Sequence, residues 1–407
     1  MASDDARRVR RRRVFYIPGF DPFPPRRYRE LYRREAAAQA AISGHRIEFQ
    51  GLAGHGGGRW RVRAEVEGAP VEAEFEVLGW SDIVQGSMDR GILATYWQLL
   101  RTAWTYVSSG ALWRLMRLRK GPVIAALYPV VALLVELGLA VLAGWLAGRA
   151  IVAATGWPVA AWLAGVGIAF AVLHWFRRID GRIFAHYLMH DYAFTASRRG
   201  ANPPALEARM AEFRRRIAAA LEEGNVDEVL VVGHSSGAHL GVSILADLLR
   251  GGAVPPLGPA LGFLTLGQAI PMVSFLPEAR RLRADLALLS TATGLTWIDV
   301  SAPGDGCTFA LCDPVAVSGV APEGRRWPLV ISAAFTQTLS PDSWRALRWR
   351  FFRLHFQYLC AFDRPGDYDY FAITAGPRTL ADRFAGRAPS RQRIERPVSR
   401  HTSVALP

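Results

Sequence analysis

The chain has 407 residues, of which 51% are hydrophobic, so it can bury a sizeable core and is not a disordered protein. Its formal charge of +14 comes almost entirely from arginine, since Lys120 is the single lysine, and this charge alone does not imply a nucleic-acid partner. The cysteines Cys307, Cys312 and Cys360 are odd in number and lack metal-ligand spacing. We therefore expect reduced thiols, no disulfide framework, no metal and no nucleic acid.

The N-terminal segment is basic and is followed by a short apolar stretch. Residues 1–13 are predicted to form a basic tail, either solvated or in contact with anionic lipid. Val14–Ile17 is too short for the core of a signal peptide and predicts a strand that ends at Pro18-Gly19-Phe20. After a helix, three alternating segments predict hairpin-linked strands, at residues 45–50, 60–66 and 71–78.

The middle of the chain has the composition of a membrane-associated segment. Residues 92–119 predict a helix rich in tryptophan with a basic end, which suits either the membrane interface or a partly buried core helix. Residues 123–147 and 158–176 are almost wholly apolar, and 19 residues at 1.5 Å each give about 28 Å, enough to cross the hydrocarbon core. We expect a transmembrane hairpin within an inserted segment, 92–190; a shallow re-entrant hairpin is the alternative. Glu136 lies within the first apolar segment, and because a carboxyl group is costly inside a membrane, we expect it to face the partner helix or water.

The orientation of this hairpin follows from its basic flanks. Four basic residues precede the first apolar segment and three follow the second, whereas Arg149 alone lies in the connection. Because positive charge is biased to the cytoplasmic side, both flanks are expected in the cytoplasm.

The most informative stretch is Val229–Leu249, where an apolar run is followed by Gly233-His234-Ser235-Ser236-Gly237 and then by apolar residues at helical spacing. The five residues match the G-x-S-x-G pattern, in which small residues allow a tight turn that lifts a serine hydroxyl clear of a sheet. In this stretch the sequence resembles the α/β-hydrolase superfamily. Around this stretch the sequence predicts helices at residues 204–223 and 280–289 and strands at residues 261–266 and 295–300, so strands and helices alternate.

We therefore expect an α/β fold with a doubly wound, mainly parallel sheet of the α/β-hydrolase type, into which the two-helix hairpin is inserted. Residues 14–91 and 191–376 would form the hydrolase domain. Residues 377–407 are basic, contain few large apolar side chains and are expected to form a mobile tail.

The resemblance implies a catalytic triad in the chain order serine, acid, histidine. Ser235 would be the nucleophile, and His355 the base, because the other late histidine lies in the basic tail. Asp305 is the preferred acid, with Asp299 and Asp313 left open. The resemblance also implies an oxyanion hole formed by the backbone N–H groups of Ser236 and of Gly19 or Phe20.

These features together predict a bacterial inner-membrane serine hydrolase with a cytoplasmic catalytic domain, no cofactor and a lipid or acyl-ester substrate. The alternative is a non-catalytic membrane scaffold or interaction protein that keeps the hydrolase fold. The sequence leaves the acyl group, the leaving group, the oligomeric state and the choice among lipase, thioesterase and acyltransferase open.

Overall fold

The computed structural model describes residues 8–53, 57–88 and 91–405 and contains one eight-stranded sheet. Its order across the sheet is β2-β3-β4-β1-β5-β6-β7-β8. The strands are β1 (Arg11–Ile17), β2 (Arg46–Gly51), β3 (Arg59–Val66), β4 (Ala69–Val77), β5 (Glu228–His234), β6 (Ala260–Leu266), β7 (Thr296–Ser301) and β8 (Leu329–Ser332).

The helices are α1 (Arg26–Ser43), α2 (Ser81–Met88), α3 (Ile92–Ser108), α4 (Ala111–Met116), α5 (Lys120–Thr155), α6 (Pro158–Arg178), α7 (Asp180–Ile183), α8 (Ala185–Ala196), α9 (Pro204–Glu223), α10 (Gly237–Arg250), α11 (Ile270–Ser274), α12 (Arg280–Thr291), α13 (Pro314–Val317), α14 (Phe335–Thr338), α15 (Pro341–Leu347), α16 (Phe351–His355), α17 (Tyr370–Ala375) and α18 (Leu380–Arg383).

The sheet is mostly parallel, as expected for an α/β fold. Strands β4-β1-β5-β6-β7-β8 run parallel, whereas β2 and β3 form the predicted antiparallel hairpins at one edge. After β1 the chain crosses to the edge strand β2 and returns inward through β3 and β4, whereas after β5 it moves outward in the other direction. The connections that leave β1 and β5 therefore reverse direction between these two neighbouring strands. In open α/β sheets ligands bind beyond the carboxyl ends of the strands at such a reversal.

Both faces of the sheet are covered, because side chains alternate along each strand. In β1, Val14 and Tyr16 belong to one buried cluster, which includes α1 and α17, and Phe15 and Ile17 belong to the cluster on the opposite face with α9, α10 and α12. The run Val229–Val232 of β5 is wholly buried for the same reason. This two-sided burial is typical of a central parallel strand.

Helices α5 and α6 are long and apolar enough to cross a membrane, and only 22% and 11% of their most apolar windows are buried inside the protein. They pack against each other through glycine, since a Cβ added to Gly144 would lie 2.4 Å from the carbonyl oxygen of Gly165. Small residues at this point let the two backbones approach closely. Helix α5 extends to Thr155, beyond the expected end at Ala147, so Arg149 lies within the helix and not in the connection as predicted. Gly148 does not end the helix and instead packs against Ala161.

Helix α8 packs against both α3 and α5, and its residues Tyr187 and Phe194 contact Phe20 in the loop after β1. Glu136 of α5 is 3% exposed, and its Oε2 lies 3.3 Å from Nε2 of His186 on α8. The acidic residue of the apolar segment is therefore buried against a packing partner, which lies on α8 and not on α6.

The two termini depart from the expectation of free basic tails. Strand β1 begins at Arg11, within the predicted tail, because Arg12 is buried: its Nε donates to Glu228 at 2.6 Å, and its guanidinium also donates to the carbonyls of Gly376 and Arg378. Residues 1–7 of that tail lie outside the described residues. The predicted mobile tail after residue 376 is instead docked through α18, a bridge between Cys312 and Ile394, and the buried side chain of Val398.

Candidate active site

Ser235 lies at a sharp turn between β5 and α10. Its φ of +56° is in the left-handed region, which a residue with a side chain rarely adopts. The small neighbours make the turn possible: a Cβ on Gly237 would lie 2.1 Å from the carbonyl oxygen of Ile17, and a Cβ on Gly233 would lie 2.8 Å from Cα of Ala238. The turn thus has the strained geometry that the G-x-S-x-G pattern predicts.

The loop after β1 passes directly beside this serine. A Cβ on Gly19 would lie 2.9 Å from Cβ and 3.3 Å from Oγ of Ser235, so only glycine fits there. The loop is held in place by Trp80, whose Nε1 donates to the carbonyl oxygen of Pro18 at 3.0 Å. Within the described part of the chain, the backbone N–H groups of Gly19, Phe20 and Ser236 donate to no acceptor. Unsatisfied N–H groups beside a nucleophile are the donors that an oxyanion hole requires.

His355 and Asp305 meet at the same edge of the sheet. Nδ1 of His355 lies 2.7 Å from Oδ2 of Asp305, and both side chains are buried. Tyr358 completes the arrangement, because its hydroxyl donates to Asp305 at 3.1 Å and accepts the N–H of Ala302 at 2.9 Å. Burial, together with the charge of Asp305, raises the pKa of Tyr358 well above its ordinary value, so the phenol stays protonated. Asp305 is thereby fixed from two sides.

The two other candidate acids are used elsewhere. Asp299 lies within β7 and accepts a hydrogen bond from the hydroxyl of Thr265 at 2.6 Å. Asp313 caps α13 and pairs with Arg325 at 2.8 Å. Burial raises the pKa of Asp299 to about 7 and that of Asp313 to about 6. Of the three carboxylates left open by the sequence, Asp305 is the one that the fold brings to His355.

Two parts of the structure lie between the His355 ring and the serine turn: the end of β6 with Gly267, and the ring of His234. Ser235 donates its backbone N–H to Leu266 at 2.9 Å, and a Cβ on the following residue, Gly267, would lie 3.1 Å from Cε1 of His355. The ring of His234 lies 4.8 Å from that of His355. Among the described residues, the Ser235 hydroxyl has no hydrogen bond to the His355 ring. Catalytic hydrogen bonds often form only when substrate binds.

His234 does not compete for the role of base. It is 2% exposed, and its Nε2 lies 3.0 Å from the backbone carbonyl of His355. Burial, together with the charge of His355, lowers its pKa to about 3. His234 therefore remains neutral, and its bond to the carbonyl of His355 holds the end of α16.

One group of side chains could hold a metal ion. Asp305, Cys307 and His355 each offer a ligand atom, and these atoms lie within 4.8 Å of one another. However, Nδ1 of His355 is already bonded to Asp305, and burial raises the pKa of the Cys307 thiol well above its ordinary value. Since metals bind the thiolate and not the thiol, this donor set fits an acid–histidine pair better than a metal centre.

Tyr358 and the helix α8 are parts of the site that sequence reasoning missed. Tyr358 follows His355 by three residues, and that spacing alone gives no signal of a bond to Asp305. On α8, the Tyr187 hydroxyl donates to the carbonyl of Phe20, and the ring of Phe194 lies 5.6 Å from that of Phe20. The nearby carboxyl of Asp191 also went unnoticed, because it follows an apolar insertion and matches no motif.

No protein-family model, curated protein or solved structure matches the chain. The function is therefore argued from the residues of the site.

Proposed function

We propose that the protein is a membrane-attached serine hydrolase of the α/β-hydrolase type that cleaves a lipid or acyl ester. The observation that carries the proposal is the meeting, at one sheet edge, of a serine in a strained turn with a buried histidine–aspartate pair. A serine hydroxyl is a poor nucleophile at neutral pH and needs such a base, held by such an acid. A serine in an ordinary packing role would not require the left-handed backbone of Ser235.

In the proposed reaction, Ser235 Oγ attacks the ester carbonyl while Nε2 of His355 accepts its proton. Asp305 holds the imidazole in the tautomer with hydrogen on Nδ1 and stabilises the imidazolium that forms. The N–H groups of Ser236 and of Gly19 or Phe20 bind the oxyanion. His355 then protonates the leaving alcohol, and water hydrolyses the acyl-enzyme by the reverse set of proton transfers.

Membrane attachment is proposed from three features of the inserted segment. The first two are the apolar helices α5 and α6, which we propose cross the membrane as a hairpin inserted into the hydrolase domain. The third is a stripe on α3 with helical spacing, in which four large apolar side chains are each between 61% and 73% exposed: Leu93, Trp97, Leu100 and Trp104. An exposed stripe of this kind suits the headgroup region of a bilayer. We propose a bacterial inner membrane, with the catalytic domain in the cytoplasm.

A hydrolysis assay on the purified full chain tests the enzyme proposal. Medium-chain p-nitrophenyl esters should be cleaved by the wild type, and Ser235→Ala should lower turnover by about 10⁴-fold or more, since a triad member is lost. The matched control, Ser403→Ala, removes a hydroxyl from an exposed position and should behave like the wild type. Equal activity in Ser235→Ala would show that Ser235 is not the nucleophile, whereas a wild type that cleaves no ester would favour the non-catalytic scaffold.

A further inference from the structure

Asp191 is a carboxyl group beside the candidate site to which the proposed reaction gives no role. It lies on α8, and residues 187, 191 and 194 share one face of that helix because they are spaced by four and three. The first and last of these, Tyr187 and Phe194, both contact Phe20 in the loop beside Ser235. Asp191 therefore projects from the middle of the face that covers the proposed oxyanion hole.

Electrostatic contacts place the same carboxyl near the acid–histidine pair. Burial raises the pKa of Asp191, and the charge of His355 opposes part of that rise. Burial is the main cause of the raised pKa of the Cys307 thiol, and the charges of Asp305 and Asp191 add to it. Asp191 is thus close enough to His355 and Cys307 to interact with both through its charge.

This carboxyl has no hydrogen-bond partner among the described residues, although it is half-buried. Placing a carboxyl group in such surroundings without a partner costs free energy, and burial raises the pKa of Asp191 to about 7. A carboxyl group accepts a hydrogen bond from a hydroxyl when it is ionised and donates one when it is protonated, so a hydroxyl suits both forms. Binding of a cation would instead need the fully ionised form.

We infer that Asp191 binds a hydroxyl group of the substrate, so that the preferred substrate is an acyl ester with a free hydroxyl close to the scissile bond, as in a partial acylglycerol. This inference rests on the proposed hydrolase function, whose nucleophile and base lie beside Asp191. It narrows the substrate class from lipid esters in general to those with a hydroxylated leaving group. Asp191 would then determine specificity, since the triad already supplies the base and its acid.

A matched pair of esters tests the inference: monodecanoylglycerol and propyl decanoate have the same acyl chain and the same ester bond, and differ in the hydroxyl groups. We expect the wild type to prefer the glycerol ester by about tenfold to a hundredfold in kcat/KM, the range for a hydrogen bond to an ionisable group. Asp191→Leu should remove this preference and leave kcat/KM on the propyl ester within about threefold of the wild type. Asp191→Asn should keep part of it, because the amide oxygen still accepts a hydrogen bond.

Asp342→Leu is the control, since the Asp342 side chain is 87% exposed on α15, away from α8. Equal losses on both esters in the Asp191 variants, or a wild type without preference, would overturn the inference. If Asp191→Leu does not fold, the ratio of kcat/KM on the two esters in Asp191→Asn, compared with the wild type, tests the inference. Fluorophosphonate labelling of the wild type separates two kinds of failure: a labelled but unselective enzyme contradicts only the role of Asp191, whereas an unlabelled, inactive protein contradicts the hydrolase proposal as well.

Discussion

The bond between His355 and Asp305 determines what each nitrogen of the imidazole can do. Because Asp305 accepts the hydrogen on Nδ1, the lone pair of Nε2 is left to accept a proton. Tyr358 prevents the carboxylate from rotating away, since it bonds both to Asp305 and to the backbone of Ala302. This arrangement makes His355 a base of defined tautomer.

We predict that Asp305→Asn lowers kcat by about 10⁴-fold and leaves the fold intact, because an amide of the same size favours the wrong histidine tautomer. Asp299→Asn is the matched comparison, since it makes the same change in another carboxylate of the same region. It should keep most of the activity, because Asp299 bonds to Thr265 and not to His355. Ester hydrolysis by the two purified variants measures both effects. If Asp299→Asn lost far more activity than Asp305→Asn, Asp299 would be the acid.

Ser235 and Asp305 were chosen because each follows a predicted strand, and His355 because it is the late histidine outside the basic tail. Their chain order is the one that the hydrolase resemblance implies. The sequence left three aspartates open, since chain order alone cannot tell which carboxylate turns toward the histidine. That choice depends on the loop after β7, where the N–H of Cys307 donates to Asp305 Oδ1. Such loop geometry depends on contacts distant in sequence, which no local pattern encodes.

Among the secondary-structure elements, those with a strong pattern were predicted closely. Helix α9 has the predicted bounds, Pro204–Glu223, because its apolar residues recur at helical spacing over five turns. By contrast, β8 (Leu329–Ser332) was missed, since its apolar run of three residues is shorter than the run of four at Val14–Ile17 that predicted β1. The first apolar segment was ended at Ala147 because Arg149 was assigned to the connecting loop, whereas α5 continues to Thr155 and Gly148 packs closely against Ala161.

At the helix pair, we predict that Gly144→Leu destabilises the packing of α5 against α6. The new side chain would overlap the Gly165 backbone, and overpacking typically costs about 1–3 kcal/mol. The matched control is Gly138→Leu on the same helix, where a Cβ meets nothing within 4 Å. Thermal unfolding in detergent should therefore give a lower midpoint for Gly144→Leu than for Gly138→Leu. Equal midpoints would show that the contact between the helices does not contribute to stability.

At the scale of the whole molecule, the strand reversal between β1 and β5 brings the separate parts of the site together. The loop after β1 and the turn after β5 are neighbours only because these strands pair, although about 200 residues separate them. The docking of the C-terminal segment is a second long-range feature. It was missed because its arginines suggest a solvated tail, whereas Arg383 pairs with Glu67 and Arg325 pairs with Glu395.

The topology of the hairpin can be measured directly. In a variant without the native cysteines, Trp157→Cys and Arg182→Cys place single thiols at the exposed turn between α5 and α6 and at the exposed end beyond α6. An impermeant thiol reagent added to intact spheroplasts should modify position 157 and spare position 182, because the basic flanks favour the cytoplasm. Modification of position 182 with protection of position 157 would reverse the proposed orientation and place Ser235 outside the cytoplasm.

The most direct test of the central proposal is the location of a covalent adduct. Fluorophosphonates react with serines that an adjacent base activates, so the probe reports activation at a single hydroxyl. Mass spectrometry of the labelled full chain should give one adduct, on Ser235, and the adduct should be absent from Ser235→Ala and strongly reduced in His355→Gln. An adduct on another serine, or equal labelling of Ser235→Ala, would contradict the assignment of Ser235 as the nucleophile.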